Sequence, residues 1–214
     1  MIEEKKISEI GDFLSQELQG KLPGTKAHKK MIPVFPDNTP EYFNYNQKLR
    51  EAAVLIPLIV EKDSIKTVFI ERTPDAGPHS GQIAFPGGKR EGFDSDLVET
   101  ALREAKEEVG IKLSRKDYIG SLTPVQIPIS RFSVEPVICV TDKIMEFVKQ
   151  EAEVSTIFTV DLLELFDTED VRLVKARDIM INAPSFKFEN QIVWGATAMV
   201  LKELKNVIST FLGH

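Results

Sequence analysis

Ile7, Ile10, Phe13, Leu14 and Leu18 recur at helical spacing, so the pattern predicts an amphipathic opening helix that ends near Gly20. Residues 21–45 carry Pro23, Pro33, Pro36 and Pro40 and predict an irregular arm. The run AAVLIPLIV at 52–60 reads as a strand buried on both faces, with Lys66–Arg72 (KTVFIER) as its partner. Between 73 and 88 the chain holds three prolines and four glycines, which predicts a constrained loop. A helix is expected from about Asp96 to Val109, with Asp94 or Ser95 as its N-cap and Gly110 ending it. Strands are expected at 117–124, 134–141 and 171–175. A last helix is expected near 196–211, where Val200, Leu201, Leu204, Val207 and Ile208 share a face. Strands outnumber long helices, and the helices are too scattered for regular βαβ winding. The fold class this predicts is a mixed α/β (α+β) one, a mixed β-sheet flanked by helices.

Composition narrows the function. The 214 residues contain 42% hydrophobic and 28% charged side chains, the balance of a globular protein with a real core. A net charge of −6 argues against a DNA-binding surface, though not against a local basic pocket for a small phosphorylated molecule. Lys26, His28, Lys29 and Lys30 are either a solvated loop or such a phosphate-facing arm. Cys139, the single cysteine, excludes an intrachain disulfide and a Cys-rich zinc site, and reads as a buried apolar side chain in a reducing compartment. No apolar run approaches the ~20 residues of a membrane span, and MIEEKKISEI lacks the apolar centre of a signal peptide. The expectation is a cytoplasmic protein, a monomer or homodimer, acting on a small molecule.

The segment from Gly87 to Ile111 carries the chemistry. On a helix turning about 100° per residue, Glu104, Glu107 and Glu108 share a face about 100° wide, while Val98, Leu102, Ala105 and Val109 form a separate apolar stripe. Three close carboxylates repel unless a cation lies between them, and hard oxygen ligands suit Mg²⁺ or Mn²⁺. The bland reading, an acidic face neutralised by Arg103 and Lys106, is common for such triplets. The Gly87-Gly88 turn leading into this helix shifts the balance, because it permits close backbone approach of a ligand.

Gly88 followed by Arg103-Glu104-Ala105-Lys106-Glu107-Glu108-Val109-Gly110-Ile111 resembles the signature of Nudix hydrolases, which cleave diphosphates linked to a nucleoside with the help of divalent metal. The front of the signature departs from the usual pattern: the spacing from Gly88 to Arg103 is one residue longer, and Ser95, flanked by Asp94 and Asp96, stands where a glutamate is expected. That insertion is similar to the branch acting on coenzyme A. So are Arg72, the run from His79 to Gly88, Glu153-Val154, and Val193-Trp194-Gly195-Ala196-Thr197-Ala198.

The resemblance implies a Nudix domain over 46–214 behind an N-terminal helix and proline-containing arm at 1–45. It implies Glu104, Glu107 and Glu108 as ligands of Mg²⁺ (or Mn²⁺), with Arg103 beside them. It also implies hydrolysis of coenzyme A or a derivative to 3′-phospho-AMP and a 4′-phosphopantetheine. Glu151 or Glu153 is a candidate general base, Glu153 being the one within the resemblance. Arg72, His79, Phe85, Gly87, Gly88 and Lys89 are the candidate substrate-binding residues. Phe85 and Trp194 each have a second reading as core anchors. Where the branch has a second arginine this chain has Gly77. Either His79, Lys89, Arg90 or the Lys26–Lys30 cluster supplies that charge, or the substrate is ADP-ribose, another nucleoside-diphosphate sugar or a dinucleotide. A nucleotide-sensing module without turnover is the remaining alternative.

Overall fold

A computed structural model describes residues 7–35, 48–61, 64–74, 81–143, 145–176 and 179–212. The described residues form five α-helices: α1 (Ile7–Gln19), α2 (Thr25–His28), α3 (Leu97–Val109), α4 (Leu162–Phe166) and α5 (Gly195–Leu212). The strands are β1 (Arg50–Val60), β2 (Ile65–Arg72), β3 (Ile83–Ala84), β4 (Gly87–Lys89), β5 (Tyr118–Ser121), β6 (Val125–Ile127), β7 (Phe132–Thr141), β8 (Val154–Asp161), β9 (Asp170–Ala176), β10 (Ile179–Phe188) and β11 (Gln191–Trp194). The predicted mixed α/β class holds.

β1 is the axis of an eight-stranded mixed sheet. It pairs in parallel with β7 from Arg50↔Phe132 to Ile59↔Thr141, and antiparallel with β4 and β2 on its other edge. Alternate residues of β1 serve opposite faces, as the pleat requires. Ala53, Leu55 and Ile59 pack under α3 with Val68, Val98, Ala105 and Val137. Ile56 and Leu58 pack on the opposite face with Ile10 and Leu14 of α1 and with Leu201 and Leu204 of α5. Burial on both faces explains the unbroken apolar run 52–60. Pro57 is tolerated because its nitrogen lies on the edge that donates from Leu55 to Pro86, in the gap between the β4 and β2 pairings. Cys139 is fully buried on the α3 face of β7, and burial pushes its thiol up to about 12.

Several boundaries differ from the sequence-based expectation. The N-cap of α3 is Asp96, whose carboxylate accepts from the Glu99 amide at 2.9 Å, rather than Asp94 or Ser95. The strand expected at 117–124 is shorter, β5 alone, and β6 follows just beyond that range; both pair with β7. The loop 73–88 contains β3 and leads into β4. The single strand expected at 171–175 is the edge of a separate antiparallel sheet, β11-β10-β9. The arm contains α2 and a 3-10 turn at Lys29–Met31, and Val34 bridges to Asn182 of the small sheet. Among the described residues no helix is long and apolar enough to cross a membrane.

Candidate active site

α3 lies across the sheet with its acidic face turned to the β4 turn. Its C-terminus is closed twice over. Gly110 adopts a left-handed conformation (φ 75°), and the loop before β8 donates Val148 N to Val109 O and Gln150 N to Glu108 O. The same loop carries Glu153, whose backbone carbonyl accepts from Thr73 N at 3.0 Å. Glu153 is thereby brought beside the acidic face, close enough that its charge acts on both Glu104 and Glu108. Glu151, the other candidate base, is exposed and paired with Lys149 at 3.1 Å.

The three box glutamates occupy different environments. Glu108 is buried; its Oε2 accepts from Gly87 N at 2.8 Å, and Oε1 lies 3.8 Å from Arg72 Nη1. Burial pushes its pKa up to about 7, with repulsion from Glu104 and Glu153 adding to the effect and Gly87 and Arg72 opposing it. Glu104 is half-buried and also titrates above its usual range, first through burial, with Glu107 and Glu153 pushing in the same direction and Arg103 pulling against them. Glu107 is 59% exposed and accepts from Arg103 at 3.1 Å. The backbone between these groups leaves no room for side chains. A Cβ on Gly88 would sit 2.5 Å from the Glu104 carboxylate, and one on Gly87 would collide with Ala53 O.

Arg103 organises the cluster. Its Nε and Nη2 form a fork on Asp94, both at 2.9 Å, Nη1 reaches Glu104 at 2.8 Å, and Nη2 also donates to Lys89 O at 3.1 Å. Asp94 is buried and additionally accepts from Thr100 Oγ1 and the Glu91 amide. The Arg103 guanidinium beside it holds its carboxyl well below the usual carboxylate range. The sequence points to Asp94 only as a possible cap and as an acidic neighbour of Ser95, not as the partner of Arg103. Its spacing of nine residues before Arg103 was the available signal.

A cleft of about 640 Å³ opens from this cluster, with Arg72, Gly87, Gly88 and Lys89 along its lining. Phe85 also borders it, but the ring is buried, 4.7 Å from Phe69. Trp194 is half-buried and lines the cleft where the small sheet meets α5. His79 and Gly77 lie outside the described residues. Two suggested sources of extra charge do not reach the cleft. Arg90 is held by Glu51 at 2.7 Å and by the carbonyls of Asp94 and Ser95. His28 is buried with its Nε2 2.9 Å from Glu203, and Lys26, Lys29 and Lys30 are exposed away from the cleft lining.

The donor chemistry fits a hard divalent cation. Burial raises the proton affinity of both Glu104 and Glu108, the charge of Glu104 raises Glu108 further, and Glu153 adds to both, a concentration of negative charge that a cation relieves. Among the described residues no three acidic or histidine groups already converge on one point. Arg103 engages Glu104 and Glu107, and Glu108 is turned to the Gly87 amide.

A family model for the NUDIX domain matches residues 49–183. The chain belongs to the Nudix family. It is 34% identical over 178 residues to an uncharacterized Nudix hydrolase, NudL, of Yersinia pestis strain Pestoides F, a match covering 81% of this chain and 88% of the relative. The NudL of Yersinia pseudotuberculosis serotype O:1b matches to the same extent. Among solved structures, a MutT/nudix family protein from Enterococcus faecalis shares the fold with a TM-score of 0.53 at 15% identity, over 96% of this chain and 75% of that one. Membership of the Nudix hydrolases makes this chain a hydrolase of phosphoanhydride bonds in a nucleoside diphosphate derivative, in a family that generally uses divalent metal ions.

Proposed function

We propose that this Nudix hydrolase cleaves the diphosphate of coenzyme A or its derivatives, giving 3′-phospho-AMP and a 4′-phosphopantetheine. The observation that carries the reading is the distribution of charge along the cleft. Among the described residues its charged lining groups, Arg72 and Lys89, stand beside the glycine turn and the acidic helix, and the rest of the described lining is uncharged. A substrate with a diphosphate at one end of the cleft and a long uncharged arm beyond it matches that distribution. A nucleoside-diphosphate sugar would bring a polyhydroxylated ring onto mostly apolar walls, where its hydroxyls would lose water without replacement.

In this reading Glu104, Glu107 and Glu108 hold Mg²⁺ or Mn²⁺, which supplies charge neutralisation on the phosphates. Arg72 and the Gly87-Gly88 backbone take the phosphate oxygens. Arg103, locked by Asp94, keeps Glu104 and Glu107 in register at the cleft mouth. Glu153 is the base that removes a proton from the attacking water, since its charge already acts on both Glu104 and Glu108 while Glu151 is tied to Lys149.

The test is chromatographic product analysis of the purified chain with Mg²⁺ and separate substrates: coenzyme A, dephospho-coenzyme A, ADP-ribose, a diadenosine polyphosphate and a nucleoside-diphosphate sugar. Preferential release of 3′-phospho-AMP from coenzyme A is expected. Preference for ADP-ribose or a sugar nucleotide would keep the chemistry and overturn the substrate.

A further inference from the structure

The Nudix match begins at residue 49 and ends at 183, yet the cleft is completed by residues on both flanks of it. Phe35 comes from the arm, and Trp194 ends β11. Both rings pack against the same cluster on the small sheet, Val174, Ala176, Ile181 and Ala183. The position of Phe35 is fixed by what precedes it. Glu203 of α5 accepts from Gly24 N at 2.8 Å and pairs with His28 at 2.9 Å, anchoring α2. Met31 is fully buried, and Val34 N donates to Asn182 O at 3.2 Å, delivering the next residue to the cleft.

We infer that Phe35, together with Trp194, receives an apolar arm of the substrate beyond its diphosphate, and that Phe35 is a specificity-determining residue supplied from outside the Nudix domain proper. The inference rests on the coenzyme A reading and specifies it. The surrounding walls, Ile127, Ile129, Phe132 and Ile179, offer no ionic partner, so a charged group placed there would be desolvated without compensation. An alkyl chain placed there would instead gain by leaving water. Ser130 Oγ, also at the cleft lining and buried without a hydrogen-bond partner, suits an amide of such an arm.

Trp194 is the only tryptophan of the sequence and reports on this wall directly, with no turnover required. In EDTA, its emission is followed while octanoyl-coenzyme A, coenzyme A or ADP-ribose is added to the wild-type chain and to the Phe35→Ala and Phe35→Leu variants. The wild-type midpoint for the octanoyl thioester is expected about tenfold below that for coenzyme A. Phe35→Ala should reduce this preference to within about twofold, and Phe35→Leu, which keeps an apolar side chain, should restore most of it. Equal wild-type midpoints for the two coenzyme A compounds, or a preference untouched by Phe35→Ala, would overturn the inference and leave the coenzyme A reading standing. Binding of ADP-ribose alone would overturn both.

Discussion

Two fully desolvated glutamates, Glu108 and Glu203, have been treated in opposite ways by the same fold. Glu203 gathers donors from every side: Gly24 N and Thr123 Oγ1 on one oxygen, His28 Nε2 and Thr123 N on the other. Burial opposes its ionisation, but the donors win, with His28 and Thr123 contributing most, and its pKa falls below the usual range. Glu108 has a single short bond from Gly87 N and a distant Arg72, faces Glu104 and Glu153, and is pushed up to about 7. Burial therefore does not decide what a carboxylate is for. Its remaining capacity to accept does: Glu203 is complete and structural, whereas Glu108 keeps room to accept, which is what the proposed function assigns to a cation.

The sharpest way to break this contrast is to remove each charge in turn. Glu108→Gln is expected to lower kcat in Mg²⁺ about a thousandfold without loss of folding stability, because the change removes a charge the fold does not compensate. Near-normal turnover would dismiss Glu108 from the chemistry. Glu203→Ala should do the reverse. It leaves the Gly24 and Thr123 donors and His28 without their acceptor and should cost about 3–5 kcal/mol in urea unfolding. The contrast would collapse if that loss were below about 1 kcal/mol.

The two acids also predict opposite pH slopes in EDTA. Glu108 is raised in the folded state, so the stability it contributes is present below about 4.5, its ordinary value, and is lost as pH rises through about 7. The loss is at most about 3 kcal/mol. Glu203 is lowered, so its contribution is present above about 4.5 and is lost as pH falls through its depressed value. Urea melts across pH should lose the neutral-side slope in Glu108→Gln and the acid-side slope in Glu203→Gln, and an unchanged slope in either variant would contradict that assignment. The smallest effect separates two exposed acids. Glu153→Gln should lower kcat about a hundredfold and shift the acid limb of the rate profile, while Glu151→Gln leaves both unchanged. If the two profiles coincided with that of the wild type, the base would lie in the box itself.

Glu108 was legible in the sequence and Glu203 was not, for a physical reason. Helix α3 announces itself through local periodicity, its glycine stop and the carboxylate spacing, all within one short segment, and the mixed sheet follows from the doubly buried run of β1. His28 and Glu203 meet across 175 positions, a partnership that no local pattern encodes. The small sheet was mostly missed for a related reason. Exposed Val171, Leu173 and Met180 blur its alternation, and Pro184 interrupts β10. The cap of α3 was misplaced because three polar residues in a row can each cap a helix. Asp94 became free for Arg103 only once Asp96 had taken that role.

Pro57 has a further consequence during folding. β1 is made early but lies at the centre of the sheet, and beyond its short pairing with β2 the same edge is covered only when β4 emerges. Until then most of a strongly apolar strand presents that edge, the one on which Pro57 has no N–H to donate, and open edges are where chains stick to one another. Arg50 and Glu51 on one side and Glu61 on the other flank the run with charge, and Pro57 interrupts any foreign ladder at its middle. A residue that the finished sheet merely tolerates thus guards the unfinished one against misassembly.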